Sequence, residues 1–153
     1  MSHSPNVAPT ARDAGAQVTP RPAVLLNGNA KHVRPGLRRA FEAQLSKRDV
    51  FWVDTLEETR DAVRVVFEQQ YDALFVGGGD GTFAHTVTVM DAESRRMASE
   101  RGVEPTWPAL GILRLGTGNA LCHLAGAGRP LNDVVGWATH PAPPVARVPL
   151  IRD

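Results

Sequence analysis

Four glycines and one carboxylate stand together in Gly77-Gly78-Gly79-Asp80-Gly81-Thr82, and their spacing suits phosphate chemistry. Glycine lets the backbone turn sharply and approach a ligand with no side chain between them. N–H groups freed in such a turn, with a helix opening behind it, form a cradle for anions. Asp80 is the awkward member, because a carboxylate repels phosphate. Two chemistries reconcile it with an anion: a bound Mg²⁺ that offsets the charge, or a role for Asp80 as acceptor of the proton of an attacking hydroxyl. The plainer alternative is a glycine turn in which Asp80 caps the following helix.

The elements that must position this stretch follow from the pattern around it. Tyr71-Asp72-Ala73-Leu74-Phe75-Val76 ends in a continuous apolar run of the kind a strand buried on both faces shows. Residues 83–98, with Phe83, Val87 and Met90 at helical spacing, predict the helix behind it. Earlier in the chain, Ala23-Val24-Leu25-Leu26 predicts a strand that ends in Asn27-Gly28-Asn29, a composition suited to a tight loop. A helix over 33–46 follows, with Leu37, Ala40, Phe41, Ala43 and Leu45 on one face. Lys31, Arg34, Arg38, Arg39, Lys47 and Arg48 make the other side of that segment basic, either as a solvated face or as a surface for lipid headgroups or phosphates. Val50-Phe51-Trp52-Val53 reads as a strand, and Asp54 or Thr55 caps a helix whose buried stripe is Leu56, Thr59, Ala62, Val63, Val66 and Phe67.

The second half repeats the arrangement. After a loop over 99–108, Leu110-Gly111-Ile112-Leu113 predicts a strand running into a second glycine-rich loop, Arg114-Leu115-Gly116-Thr117-Gly118-Asn119. Helices over 120–125 and, opened by Pro130, over 131–138 complete the pattern, and 145–151 reads as a further strand. Strands alternating with helices define an α/β fold, a three-layer parallel sheet of Rossmann-like type with helices on both faces. In such sheets ligands bind beyond the carboxyl ends of the strands. Asn27, Gly28, Asn29, Thr55, the 77–82 stretch and Gly116 to Asn119 all fall on that edge.

Composition sets outer bounds. The chain has 153 residues, a formal charge of +1 and 42% apolar residues, which suits one compact domain and gives no signature of a nucleic-acid binder. A lone cysteine, Cys122, leaves no internal disulfide and no zinc-type ligand set. No apolar run approaches a membrane span, so the expectation is a cytoplasmic protein. Residues 1–20, rich in Ser, Pro, Ala and Gly, read as a disordered lead-in to a domain over 21–140, with 141–153 as the start of a second domain that the chain does not complete. Neither glycine loop fits the common phosphate motifs. Gly-x-Gly-x-x-Gly fails at Thr82 and at Leu121, and no lysine stands where a Walker A loop needs one.

The pairing of Gly77-Gly78-Gly79-Asp80-Gly81-Thr82 with Leu115-Gly116-Thr117-Gly118-Asn119, after an asparagine-containing first loop, resembles the catalytic domain of diacylglycerol kinases. Bacterial lipid kinases and sphingosine kinases share that domain, and NAD kinases are more distantly similar. The resemblance spans residues 23–138. It implies ATP held by the loops, with Mg²⁺, and transfer of the γ-phosphate to a lipid hydroxyl such as that of diacylglycerol. Asn27, Gly28, Asn29 and Thr55 would approach the nucleotide, Gly77 to Thr82 would wrap its phosphates, and Gly116, Thr117, Gly118 and Asn119 would meet it from the next loop. Asp80 would serve the Mg-ATP or the attacking hydroxyl as the catalytic residue. The same likeness implies transient contact with a membrane surface.

Three positions depart from the family pattern. Asn27-Gly28 stands where Asn-Pro is frequent, Ala84-His85 where Asn-Glu is frequent, and Ala120 where Asp often follows the second loop. Family members also continue into a β-rich domain that closes the cleft, so the expectation is an incomplete kinase with little activity alone, completed by a separate second-domain partner or a homodimer. The competing readings are a kinase of a soluble substrate such as NAD, and a non-catalytic nucleotide-binding or interaction domain.

Overall fold

A computed structural model describes residues 19–116 and 120–140. Four strands, β1 (Pro22–Asn27), β2 (Val50–Val53), β3 (Ala73–Gly78) and β4 (Ala109–Arg114), form one all-parallel sheet in the order β2-β1-β3-β4. Five α-helices connect or follow them: α1 (Pro35–Gln44), α2 (Leu56–Glu68), α3 (Asp80–Arg101), α4 (Ala120–Ala125) and α5 (Pro130–Thr139). The expected α/β architecture is therefore what the chain adopts. The expected strand over 145–151 lies outside the described residues.

Two apolar cores, one on each face, hold the sheet. Leu25, Leu74 and Val76 face α2 and α3, where Val63, Val66, Phe67, Val89 and Met90 cover them. Val24, Leu26, Phe75 and Leu113 face the other way, against Phe41 of α1 and Val134 of α5. Alternate residues of each strand thus enter opposite cores, which is why the strands read as unbroken apolar runs. The crossover from β1 to β2 lies on one face, and the crossovers that lead to β3 and β4 lie on the other. That is the arrangement right-handed connections require when the chain reverses its direction across the sheet. The reversal falls between β1 and β3, opening a crevice at their carboxyl ends.

Local chemistry moves several boundaries from their expected places. Helix α1 begins at Pro35, not at residue 33, because proline holds Arg34 extended (φ −133°, ψ 154°) while suiting the first helical turn itself. Thr55 caps α2 through a reciprocal pair: its hydroxyl accepts from the Glu58 N–H at 3.2 Å, and the Glu58 carboxylate accepts from the Thr55 N–H at 3.0 Å. Leu56, expected in the buried stripe, sits in the first turn and is 46% exposed. Helix α3 starts at Asp80, three residues early, and runs on to Arg101, ended by Gly102 in the left-handed region (φ 74°). Its buried face includes Thr86, Glu93 and Ser94 beside Val89, Met90 and Met97, so apolar spacing alone underreads it. Arg96 neutralises the buried Glu93 at 2.9 Å, and the Trp107 indole N–H donates to the Ser94 hydroxyl at 3.1 Å.

The amino ends of the strands are fastened by a polar cluster. The Tyr71 hydroxyl donates to Asp49 at 2.7 Å, and the Arg21 guanidinium reaches Asp49 at 3.1 Å while lying 4.1 Å from the centre of the Tyr71 ring. Burial first, then the bond to the Asp49 carboxylate and its charge, push the Tyr71 phenol up to about 12. A raised pKa means that the stabilisation is complete below the ordinary phenol value and is lost as pH climbs through the folded one, here between 10 and about 12. Tyr71 is the chain's single tyrosine, so tyrosinate absorbance reports it alone. The expected midpoint is about 12, lowered in Asp49→Asn; a midpoint at the ordinary phenol value would refute the cluster.

Candidate functional site

The glycine stretch is more compact than a free loop. Gly77 and Gly78 belong to β3, in register with Leu113 and Arg114 of β4. Gly79 alone connects strand to helix, and Asp80, Gly81 and Thr82 form the first turn of α3. Packing explains the first two glycines. A Cβ on Gly77 would stand 2.7 Å from a methyl of Leu26 and 2.9 Å from one of Leu115, and a Cβ on Gly78 would stand 2.4 Å from the Thr82 hydroxyl. Removing those side chains lets the first turn of α3 fold back over the strand end.

Gly81 is different. A Cβ there would have no heavy atom within 4 Å, and its φ is not in the left-handed region. Nothing in the described chain requires a glycine at this position. The space opens at the amino terminus of a 22-residue helix, whose first N–H groups have no partner within the helix and carry the positive end of its dipole.

Asn27, at the end of β1, faces this turn across the crevice. Its side-chain N–H donates to the Thr82 hydroxyl at 3.0 Å, and its side-chain oxygen accepts from the Asn29 N–H at 3.0 Å. The Asn29 side chain in turn donates to the Asp54 carbonyl at 2.9 Å, tying the ends of β1 and β2 together. Gly28 lies against the Trp52 and Asp54 side chains, where a Cβ would fall within 2.1 Å of an Asp54 oxygen. This accounts physically for Asn27-Gly28 in place of a bulkier pair. Thr55 stands on the same edge, committed to the α2 cap.

From the other side comes Gly116, which is buried. A Cβ on it would lie 2.2 Å from Gly79 Cα and 2.8 Å from the Gly78 carbonyl oxygen, so backbone meets backbone. Asp80 adds a second link, accepting from the Ala120 N–H at 3.1 Å and the Leu121 N–H at 3.2 Å. It does cap a helix, but α4 instead of its own. Thr117, Gly118 and Asn119 lie outside the described residues.

Arg114, which sequence reasoning passed over, supplies an exposed cation at the end of β4, in register with Gly78. Its signal was a basic residue directly preceding a glycine loop. Burial first, then the charge of Asp80, raise the pKa of the neighbouring Cys122 thiol, against an opposing pull from Arg114. His85 is exposed on α3. A separate shallow groove of about 320 Å³ runs between β2 and α2, lined by residues such as Phe51, Trp52 and Asp61, and shares no residue with the glycine-rich edge.

Among the described residues no group of three or more His, Cys, Asp or Glu side chains could hold a metal by itself. Asp80 offers one carboxylate, with one lone pair on each oxygen engaged by a backbone N–H. That fits Mg²⁺ in its usual nucleotide setting, where phosphates and water complete the shell around one or two carboxylates. It does not fit a dedicated protein cage.

Fold and edge define a parallel α/β domain with a side-chain-poor crevice at its topological switch point. The family model of the diacylglycerol kinase catalytic domain matches residues 22–148, and the chain belongs to that family. None of the curated proteins compared with it matches. Because Gly116 touches backbone, no flexible side chain can yield to a methyl there. Gly116→Ala is expected to lower stability by about 1–3 kcal/mol in denaturant unfolding, and an unchanged midpoint would contradict the packed arrangement of the two loops.

Proposed function

We propose that the crevice binds ATP, with its phosphates against the amino terminus of α3, and that the chain is the nucleotide-binding part of a lipid kinase. The observation that carries this reading is Gly81, a glycine that nothing in the described chain demands, placed where a phosphate oxygen would meet the free N–H groups of a long helix. Asn27 and Thr82, bonded to each other, set the wall toward β1, while Gly116 and Arg114 set the wall toward β4. Thr117, Gly118 and Asn119, which lie outside the described residues, follow Gly116 in the sequence and are assigned to nucleotide contact by the family resemblance. Asn29 and Thr55, farther along the edge, are placed for the nucleoside end.

Phosphoryl transfer depends chiefly on positioning and charge neutralisation. Mg²⁺, when bound with the nucleotide, would offset phosphate charge beside Asp80. This chain's own residues then supply the remainder. The α3 terminus and Arg114 hold negative oxygens, the packed glycines exclude side chains from the phosphate path, and the unengaged lone pairs of Asp80 face a metal or an incoming hydroxyl. The acceptor we propose is a lipid alcohol of diacylglycerol type, following the family.

Lys31, His32, Arg34 and Arg39 are exposed between the end of β1 and the outer face of α1. Their segment leaves the sheet at the same edge as the crevice, so a membrane bearing anionic lipids would be drawn toward the site. No described helix is long and apolar enough to cross a membrane.

Gly81→Ala separates ligand binding from folding. The substitution should leave thermal stability unchanged or raise it by up to about 1 kcal/mol. It should weaken ATP binding in calorimetry roughly tenfold, the loss of about one charged hydrogen bond. Wild-type-like affinity in Gly81→Ala would remove the phosphate from α3. Replacing Arg34 and Arg39 with Gln should cost about 1 kcal/mol each in binding to phosphatidylserine vesicles at low salt. Equal sedimentation of variant and wild type would dismiss the membrane contact.

A further inference from the structure

The geometry points to Asp80 as a positioning residue that clasps the second glycine loop to the first, in addition to any contact it makes with metal or substrate. This deepens the nucleotide reading above and rests on it for its functional consequence. Its structural part stands on distances alone.

Two contacts join the loops. One is steric, the approach of Gly116 to Gly78 and Gly79, and it fixes where the chain leaves β4. The other is the pair of bonds from the Ala120 and Leu121 N–H groups to the two oxygens of Asp80, and it fixes where the chain enters α4. The Ala120 and Leu121 N–H groups sit in a first helical turn, where no intrahelical carbonyl can take them, so Asp80 is the group that satisfies both. A carboxylate spread over two N–H donors makes two charge-assisted bonds and aligns the incoming helix in direction as well as position. It also holds Asp80 in one rotamer before any ligand arrives.

A metal ligand or a proton acceptor matters only when the metal or the hydroxyl is present. A clasp matters to every ligand that needs the second loop in place. Removing the carboxylate should therefore weaken metal-free nucleotide as well as Mg-ATP. Asn keeps one acceptor oxygen and Ala keeps none, so the order of effect should be Asp, then Asn, then Ala.

Amide hydrogen exchange on the ligand-free chain tests the clasp directly. The Ala120 and Leu121 amides should exchange roughly tenfold faster in Asp80→Ala than in wild type, with Asp80→Asn between them and amides of β1 and β3 unchanged as the folding control. ATP titrations in EDTA and in Mg²⁺ form the second arm, in which affinity should fall in both conditions in Asp80→Asn. Ala120→Pro provides a variant that keeps the carboxylate and deletes one donor at a position where proline suits a helix. It should mimic Asp80→Asn in EDTA. Amides exchanging at one rate in all three proteins would overturn the clasp, as would an affinity loss confined to Mg²⁺. If wild type binds no ATP, the nucleotide reading fails, and the exchange rates alone decide the clasp.

Discussion

Everything at the carboxyl edge of this sheet depends on backbone meeting backbone where Gly116 meets Gly78 and Gly79. A single Cβ at Gly116 would lie 2.2 Å from the opposing Cα, well inside any tolerable contact. Packed interiors do not yield over such distances without displacing whole segments. The path of the chain as it leaves β4 is thus settled by the absence of side chains. Gly78 repeats the logic within β3, since only a bare Cα leaves room for Thr82 and for the bond Thr82 accepts from Asn27.

Electrostatics complete what sterics begin. An acidic residue in a glycine-rich turn needs partners that offset its charge. The partners of Asp80 are two backbone N–H groups at the start of α4, beside the positive end of α3. Its charge is thus partly offset inside the protein, and the α3 terminus and Arg114 shape the remaining field at this edge. Cys122 registers the same field, its thiol held in the protonated form by burial and by the nearby carboxylate.

The sheet and its helices were legible because burial on both faces writes an unmistakable pattern. Runs such as Ala23-Val24-Leu25-Leu26 and Leu74-Phe75-Val76 carry no polar interruption, and Asp54-Thr55 ahead of an apolar stripe marks a cap, the one Thr55 makes. What stayed hidden were features with no local signature. The bond between Asn27 and Thr82 joins residues 55 positions apart, and that between Asp80 and Leu121 spans 41; no spacing rule reports either. Helix α3 was read short because Asp80-Gly81-Thr82 has a loop's composition and Ser99-Glu100-Arg101 carries no apolar residue, while inside it Thr86, Glu93 and Ser94 occupy core positions, bonded to the Thr82 carbonyl, Arg96 and Trp107 in turn. Glycines 77 and 78 were read as loop because composition cannot tell a glycine that frees the chain from one that lets it pack.

The two ends of the sheet solve opposite problems. At the amino ends, Arg21, Asp49 and Tyr71 converge in a half-buried cluster of charge, hydrogen bond and ring contact, with Arg21 also bonded through its N–H to Asp72. At the carboxyl ends of β1 and β3 side chains are withdrawn, and among the described residues the polar groups facing each other there are short: Asn27, Thr82 and Asp80, each tied to a neighbour. Rigidity there comes from close backbone contact and from bonds that use only part of each group's capacity. A carboxylate with two lone pairs taken and two open can stay fixed before a ligand arrives and still respond to one. The edge is thereby preorganised without being filled, which is the condition under which oriented dipoles act on a bound phosphate at no cost of reorganisation.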